Sequence, residues 1–233
     1  MPVDLRGVVT VLLAGTGSDE QYVSRAFGDP LHAAGARLVA VRPDPQALLA
    51  GYTQALDDAA AGGPIAVGGI SLGAAVAAGW ALGHPERTLA VLAALPPWTG
   101  APGGAPGAVS ARHTAAELRR AGLDATTSAM RSSSPHWLAD ELARSWRRQW
   151  PDLPDALDEA AGFVAPPAAQ LQTLRPPMGV AAAPDDPIHP LAVAQQWAAA
   201  APRAALRTVT LEQFGADPAA LGAACLDALA AAG

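Results

Sequence analysis

No lysine occurs anywhere in this chain: all 15 basic residues among its 233 are arginine. A protein without a lysine amine cannot anchor pyridoxal phosphate or hold a substrate carbonyl as a lysine Schiff base, so that branch of covalent chemistry is excluded. Cysteine is nearly as scarce. The one copy, Cys225, lies in an Ala/Leu-rich stretch near the C-terminus. It has no partner for an internal disulfide and reads as a small buried hydrophobe rather than a thiol nucleophile. Positive charge is also short, with 15 basic against 21 acidic side chains and a net charge of −6. That balance argues against nucleic acid or an anionic membrane as a partner. No apolar run approaches the roughly 20 residues that span a bilayer, and Met1 to Gly7 lacks the layout of a secretory signal. The expectation is a cytoplasmic protein with no membrane insertion. No cluster of His, Cys and Asp has metal-ligand spacing, and neither a metal nor an organic cofactor is implied.

What the chain has is hydrophobic content, 51% of its residues, enough for one large core. Continuous apolar runs alternate with helix-period segments. The runs Val8 to Ala14, Arg37 to Val41, Pro64 to Gly69, Thr88 to Leu95, Met178 to Ala183 and Leu206 to Leu211 read as six strands. Helices are expected over 19–35, 45–60, 72–82, 191–200 and 218–231. Unbroken apolar strands separated by helices predict a doubly wound, mostly parallel α/β sheet with its site at the carboxyl ends of the strands.

One segment carries chemistry. Gly69-Ile70-Ser71-Leu72-Gly73 stands between a predicted strand and a predicted helix, the context in which Gly-x-Ser-x-Gly makes a nucleophile elbow. The tight turn lifts the serine hydroxyl above the sheet, at a helix N-terminus that favours negative charge. Positions 69 and 73 are glycine so that strand and helix can approach. Strand, elbow and helix in this order resemble the α/β-hydrolase family, and the likeness extends over nearly the whole chain. The family's leading antiparallel strands are missing, since only seven residues precede the first run.

The resemblance implies three further parts. An oxyanion hole would use the backbone N–H of Leu72 and, from the loop Ala14-Gly15-Thr16-Gly17-Ser18, that of Thr16, with Gly15 in the pocket wall. A dinucleotide-binding reading of this loop is only weakly supported, because Glu20 stands where the third glycine would and its carboxylate would repel pyrophosphate. The acid belongs on the turn after the penultimate strand, Asp185-Asp186-Pro187-Ile188-His189-Pro190. Asp186 fits it, and Asp185 is the alternative. The base departs from the pattern: the expected loop, Glu212 to Pro218, puts Ala216 where the family carries histidine. Among the five histidines, His189 is assigned the base, three residues from Asp186, and His136 is the alternative. His189 as a mere pocket-wall residue, and a protein with no base at all, stay open.

Between Pro96 and Pro176 the α/β alternation breaks. A Pro/Gly-rich loop leads to helical pieces over 112–121, 135–150 and 154–163, an insertion that resembles the family's cap. The division is a core of 1–96 and 177–233 with a cap of 97–176. Leu138, Leu142, Trp146 and Trp150 are expected to form one apolar face. Trp98 and Trp137 are pocket candidates, although cap-to-core packing would explain them equally well. The functional expectation is a serine hydrolase that cleaves a small ester, thioester or related acyl substrate with an apolar body. The alternative is a non-hydrolytic member of the fold: a lyase, isomerase, cyclase or ligand-binding protein. The sequence sets no oligomeric state.

Overall fold

The structure is a computed structural model that describes residues 3–233, so the first two residues of the 1–7 segment and of the 1–96 core lie outside it. The first half of the core runs β1 (Val9–Leu13), α1 (Glu20–Ala33), β2 (Arg37–Val41), α2 (Leu48–Ala60), β3 (Ile65–Ile70), α3 (Leu72–Gly83) and β4 (Thr88–Ala94). The insertion supplies α4 (Pro106–Ser133), α5 (His136–Gln149), α6 (Leu153–Gly162) and the short α7 (Ala168–Leu171). The chain then returns through β5 (Met178–Ala182), α8 (Leu191–Ala200), β6 (Ala204–Thr208), α9 (Leu211–Ala216) and α10 (Ala219–Ala232).

The sheet has six strands in the order β2-β1-β3-β4-β5-β6, every pair parallel. Strands β3, β4 and β5 are buried almost throughout because helices cover both faces. One apolar layer lies under α2, α3, α8 and the inserted helices, the other under α1 and α10. From β1 the chain turns to one side to build β2 and to the other to build β3. The crevice at that reversal, outside the strands' carboxyl ends, is where an open α/β sheet receives ligands.

The inserted helices dock by polar contacts as well as by burial. Helix α2 starts at Ala47, which has no side-chain cap, and Glu159 of α6 fills that role for Leu48 N–H (3.2 Å) and Leu49 N–H (3.4 Å). Asp19, 2% exposed, caps α1 through the N–H groups of Gln21 and Tyr22. Its carboxylate also receives Arg144 at 2.7 Å and Arg148 at 3.3 Å from α5. A further bond, from Trp98 Nε1–H to the Phe163 carbonyl (3.1 Å), ties the base of the insertion to its far end.

Four local expectations change. Helix α4 is much longer than the stretch 112–121, with a break at Gly122 (φ 80°) that the sequence reading took as its end. The last strand is 204–208 rather than 206–211, and the loop expected over 212–218 contains helix α9. A capping box explains the helix: Thr210 accepts from Gln213 N–H while the Gln213 side chain accepts from Thr210 N–H. That Thr-x-x-Gln spacing was legible beforehand. On α5 the buried face is Ala139, Ala143 and Trp146, while Trp150 beyond the helix end is 40% exposed.

Candidate active site

The tight turn after β3 forces Ser71 to φ 54°, ψ −119°. Among the described residues only Leu95, at the carboxyl end of neighbouring β4, shares a positive φ without being glycine. Such a conformation costs about 1–3 kcal/mol and persists where surrounding bonds over-determine it. Here Ser71 N–H donates to the Ala94 carbonyl (2.9 Å) and Leu95 N–H to the Ala181 carbonyl (2.8 Å), extending both ladders past the strand ends. Gly69 and Gly73 lie so close to the backbone of Leu13 that neither position has room for a Cβ. Helix α3 therefore starts directly over the end of β1, and a Cβ on Gly15 would stand 3.3 Å from that of Ser71.

The turn after β5 delivers two more groups. His189 Nε2 lies 2.9 Å from Ser71 Oγ, and His189 Nδ1 lies 2.7 Å from Asp186 Oδ2. The other Asp186 oxygen accepts the backbone N–H groups of Ile188 (2.7 Å) and His189 (3.2 Å), which closes the turn on itself. These contacts fix the tautomer. A carboxylate only accepts, so Nδ1 carries the hydrogen and Nε2 presents its lone pair to the Ser71 hydroxyl. Burial pushes the Asp186 carboxyl up. The His189 hydrogen bond and charge and the two backbone donors outweigh it and hold the group below the ordinary carboxylate value.

The loop after β1 completes the arrangement. Ser18 N–H closes a turn on the Gly15 carbonyl (3.0 Å), which leaves the N–H groups of Thr16 and Gly17 out of the turn's own bonding. Leu72 opens α3, where the first N–H groups have no partner within the helix. The Tyr52 hydroxyl, fully buried, donates to the Ala14 carbonyl (3.1 Å) and steadies the loop from below. Among the described residues, no group of three or more His, Cys, Asp or Glu is disposed to hold a metal, and no helix is long and apolar enough to cross a membrane.

With that geometry the fold can be compared. No protein-family model matches the sequence, and no curated protein sequence matches it either. Solved structures do. A hydrolase from Pseudomonas aeruginosa is 20% identical, with 96% of this chain and 90% of that one covered at a TM-score of 0.69. A structure reported for carboxylesterases of Nitrososphaera gargenis is 16% identical, covering 90% and 84% at a TM-score of 0.71. The enol-lactonase of Burkholderia xenovorans LB400 is 16% identical, covering 89% and 84% at a TM-score of 0.63. The chain has the α/β-hydrolase fold. At these identities the likeness concerns architecture, and the α/β-hydrolase fold hosts unrelated chemistries.

Within this α/β-hydrolase fold, Ser71, Asp186 and His189 come together as the sequence suggested, and Gly15, Thr16 and Leu72 stand beside them. The remaining candidates do not join them. Asp185 faces away and accepts Leu211 N–H (3.0 Å) at the start of α9, joining the two loops below the site. His136 is exposed at the N-terminus of α5. Trp137 is held between Tyr22 (6.2 Å, stacked) and Phe214 (5.4 Å, edge-on) and lies against Gly215. It therefore packs the cap onto α9, in the layer under α1. Trp98 is buried, with its indole N–H on Phe163 and its carbonyl accepting from Trp197, so packing accounts for it too. Sequence reasoning missed Gln149 and placed Trp146 only on the apolar face of its helix, whereas α5 lays both against the loop after β1. Gln149 donates to the Ser18 carbonyl at 3.0 Å. Only their helical spacing hinted at it.

Proposed function

We propose that this protein is a serine hydrolase that cleaves a small ester, thioester or related acyl compound through an acyl-enzyme on Ser71. The observation that carries the reading is the continuous relay Asp186–His189–Ser71, with bonds of 2.7 and 2.9 Å. A serine hydroxyl becomes a competent nucleophile only when a base takes its proton, and His189 has the lone pair, the reach and the orienting carboxylate for that role.

Ser71 Oγ attacks the scissile carbonyl as its proton passes to His189 Nε2. The N–H groups of Thr16 and Leu72 receive the negative charge that develops on the carbonyl oxygen. The imidazolium, stabilised by Asp186, then protonates the leaving group as it departs. A water molecule gives up a proton to His189 and attacks the acyl-enzyme, and Ser71 regains its hydrogen. The insertion of residues 97–176 acts as the cap that encloses the apolar body of the substrate. Acid and base both come from the single turn between β5 and α8, three residues apart, and His189 takes the place of the histidine lacking at Ala216. The non-hydrolytic alternative drew its force from a missing base, and the His189 contact favours hydrolysis over it.

A fluorophosphonate probe tests the reading. Wild type is expected to be labelled, Ser71→Ala to lose all label, and His189→Ala to label at least a hundredfold more slowly. A folded wild type that resists the probe overturns it, and undiminished labelling of His189→Ala removes His189 from the mechanism.

A further inference from the structure

Two glycines flank the residue assigned to the oxyanion: Gly15 and Gly17 stand on either side of Thr16, and Gly17 has φ +72°. Glycine backbone is the most permissive there is, so this loop does not hold a peptide plane by itself. A donor that must meet a developing charge needs placing to within about 0.5 Å. The loop supplies one restraint of its own, the turn bond from Ser18 N–H to the Gly15 carbonyl (3.0 Å). Other restraints come from outside it. Upstream, the Tyr52 hydroxyl donates to the Ala14 carbonyl at 3.1 Å. Downstream the anchor is Gln149 of α5, 131 residues away in the insertion, whose Nε2 donates to the Ser18 carbonyl at 3.0 Å.

Gln149 is 6% exposed, and its partners settle which way the amide points. A carbonyl only accepts, so the NH2 group faces Ser18, and its second hydrogen goes to Ser145 Oγ (2.7 Å), one helical turn back. The same face of α5 lays the Trp146 indole on Gly17, where a Cβ would stand 2.9 Å from Nε1. Residues 146 and 149 are neighbours on the helix surface, and they meet consecutive residues of the loop. The helix itself is tied just beyond, where Arg144 holds Asp19 at 2.7 Å and Arg148 holds Glu20 at 2.6 Å. Those two arginines secure the start of α1, whereas Gln149 bonds the backbone of the turn that carries Thr16.

We infer that Gln149 is a positioning residue: by holding the Ser18 carbonyl it fixes the turn that presents the Thr16 N–H, so that the docked insertion completes the oxyanion hole. This rests on the serine-hydrolase reading. Without the bond the Ser18 peptide is free to rotate, the turn bond to Gly15 moves with it, and the two glycines let Thr16 follow. Ser71, His189 and Asp186 are carried by β3 and by the turn after β5, and none of their bonds involves Gln149. Its loss therefore weakens the stabilisation of charge on the substrate oxygen and leaves proton transfer intact.

The test compares wild type with Gln149→Met, which keeps the length of the side chain and removes the donor, on 4-nitrophenyl butanoate and on its thiono counterpart. Sulfur in place of the carbonyl oxygen accepts hydrogen bonds poorly and sits farther from carbon, so a thionoester gains little from an oxyanion hole. Rates are taken per Ser71 titrated to completion with fluorophosphonate, and intrinsic reactivity cancels between enzymes. Gln149→Met should lose about tenfold to a hundredfold in kcat/KM on the oxoester, and about tenfold more than on the thionoester. A merely structural role lowers both equally, and equal losses, or no loss, overturn the inference. If the thionoester reacts too slowly to follow, the oxoester alone decides: a fall in kcat with KM held within about threefold supports the inference, and any other pattern overturns it. Where Gln149→Met does not fold, Gln149→Asn, whose amide is one methylene short of Ser18, is read in the same way. Failure of the serine mechanism is distinct from all of these, because it leaves wild type itself unlabelled.

Discussion

Replacing Asp186 by asparagine keeps the size and shape of the side chain while turning one acceptor into a donor. Oδ1 of Asp186 accepts two backbone N–H groups, from Ile188 at 2.7 Å and His189 at 3.2 Å. Only the amide oxygen of Asp186→Asn can take over that position, so its NH2 group must face His189 Nδ1. A ring nitrogen that meets a donor has to accept, and the imidazole hydrogen moves to Nε2, opposite Ser71 Oγ. The base then offers a hydrogen where the mechanism needs a lone pair. A mis-set tautomer of this kind is expected to lower kcat/KM by about 10³–10⁴, roughly 4–5.5 kcal/mol of transition-state stabilisation. Steady-state hydrolysis of a 4-nitrophenyl ester measures it, and the rate of fluorophosphonate labelling should fall in parallel. Because both turn bonds survive, circular dichroism should be unchanged. A loss below about tenfold would mean that Asp186 does not set the tautomer of the base.

Three further outcomes are expected. At position 71, Ser71→Gly should be more stable than Ser71→Ala by about 1 kcal/mol, because only glycine is unstrained at φ 54°; that corresponds to a melting temperature about 2–4 °C higher, and the reverse order would show that the turn is not strained. The depressed Asp186 carboxyl adds stability that is complete above its unfolded value near 3.8 and is lost as pH falls through its lower folded value; urea unfolding should show the gap between wild type and Asp186→Asn narrowing below pH 4, and a gap that widens there contradicts the assignment. Cys225 is fully buried, its Sγ–H donates to the Gly179 carbonyl, and burial pushes its thiol well up; iodoacetamide should therefore modify it only in denaturant, and rapid reaction of the native protein would refute its burial.

Much of the catalytic layout was legible because it depends on short-range rules. Gly69 and Gly73 around Ser71 announce a turn that few other residues tolerate, and the reason is local: their α-carbons meet the Leu13 backbone. Asp186 and His189 are three residues apart, so one turn holds them and their contact owes little to the rest of the chain. The regions misread depend on partners remote in sequence. Trp137 looked like a pocket residue until Tyr22 and Phe214 enclosed it. Asp185 differs from Asp186 by one position, and only the approach of Leu211, 26 residues on, assigns it to a helix terminus.

By itself the sequence determined that the chain alternates strands and helices, that a serine stands at a glycine-flanked corner, and that no lysine chemistry is available. Those follow from periodicity, steric limits on φ and composition, all of which act along the chain. Tertiary structure decided which of five histidines meets Ser71, that α9 replaces the expected loop, and where α5 comes to rest. The Ser71–His189 bond spans 118 residues and joins two strands that are neither consecutive nor paired. Periodicity and composition specify that each strand is buried, but only the assembled sheet brings two particular strand ends to one crevice.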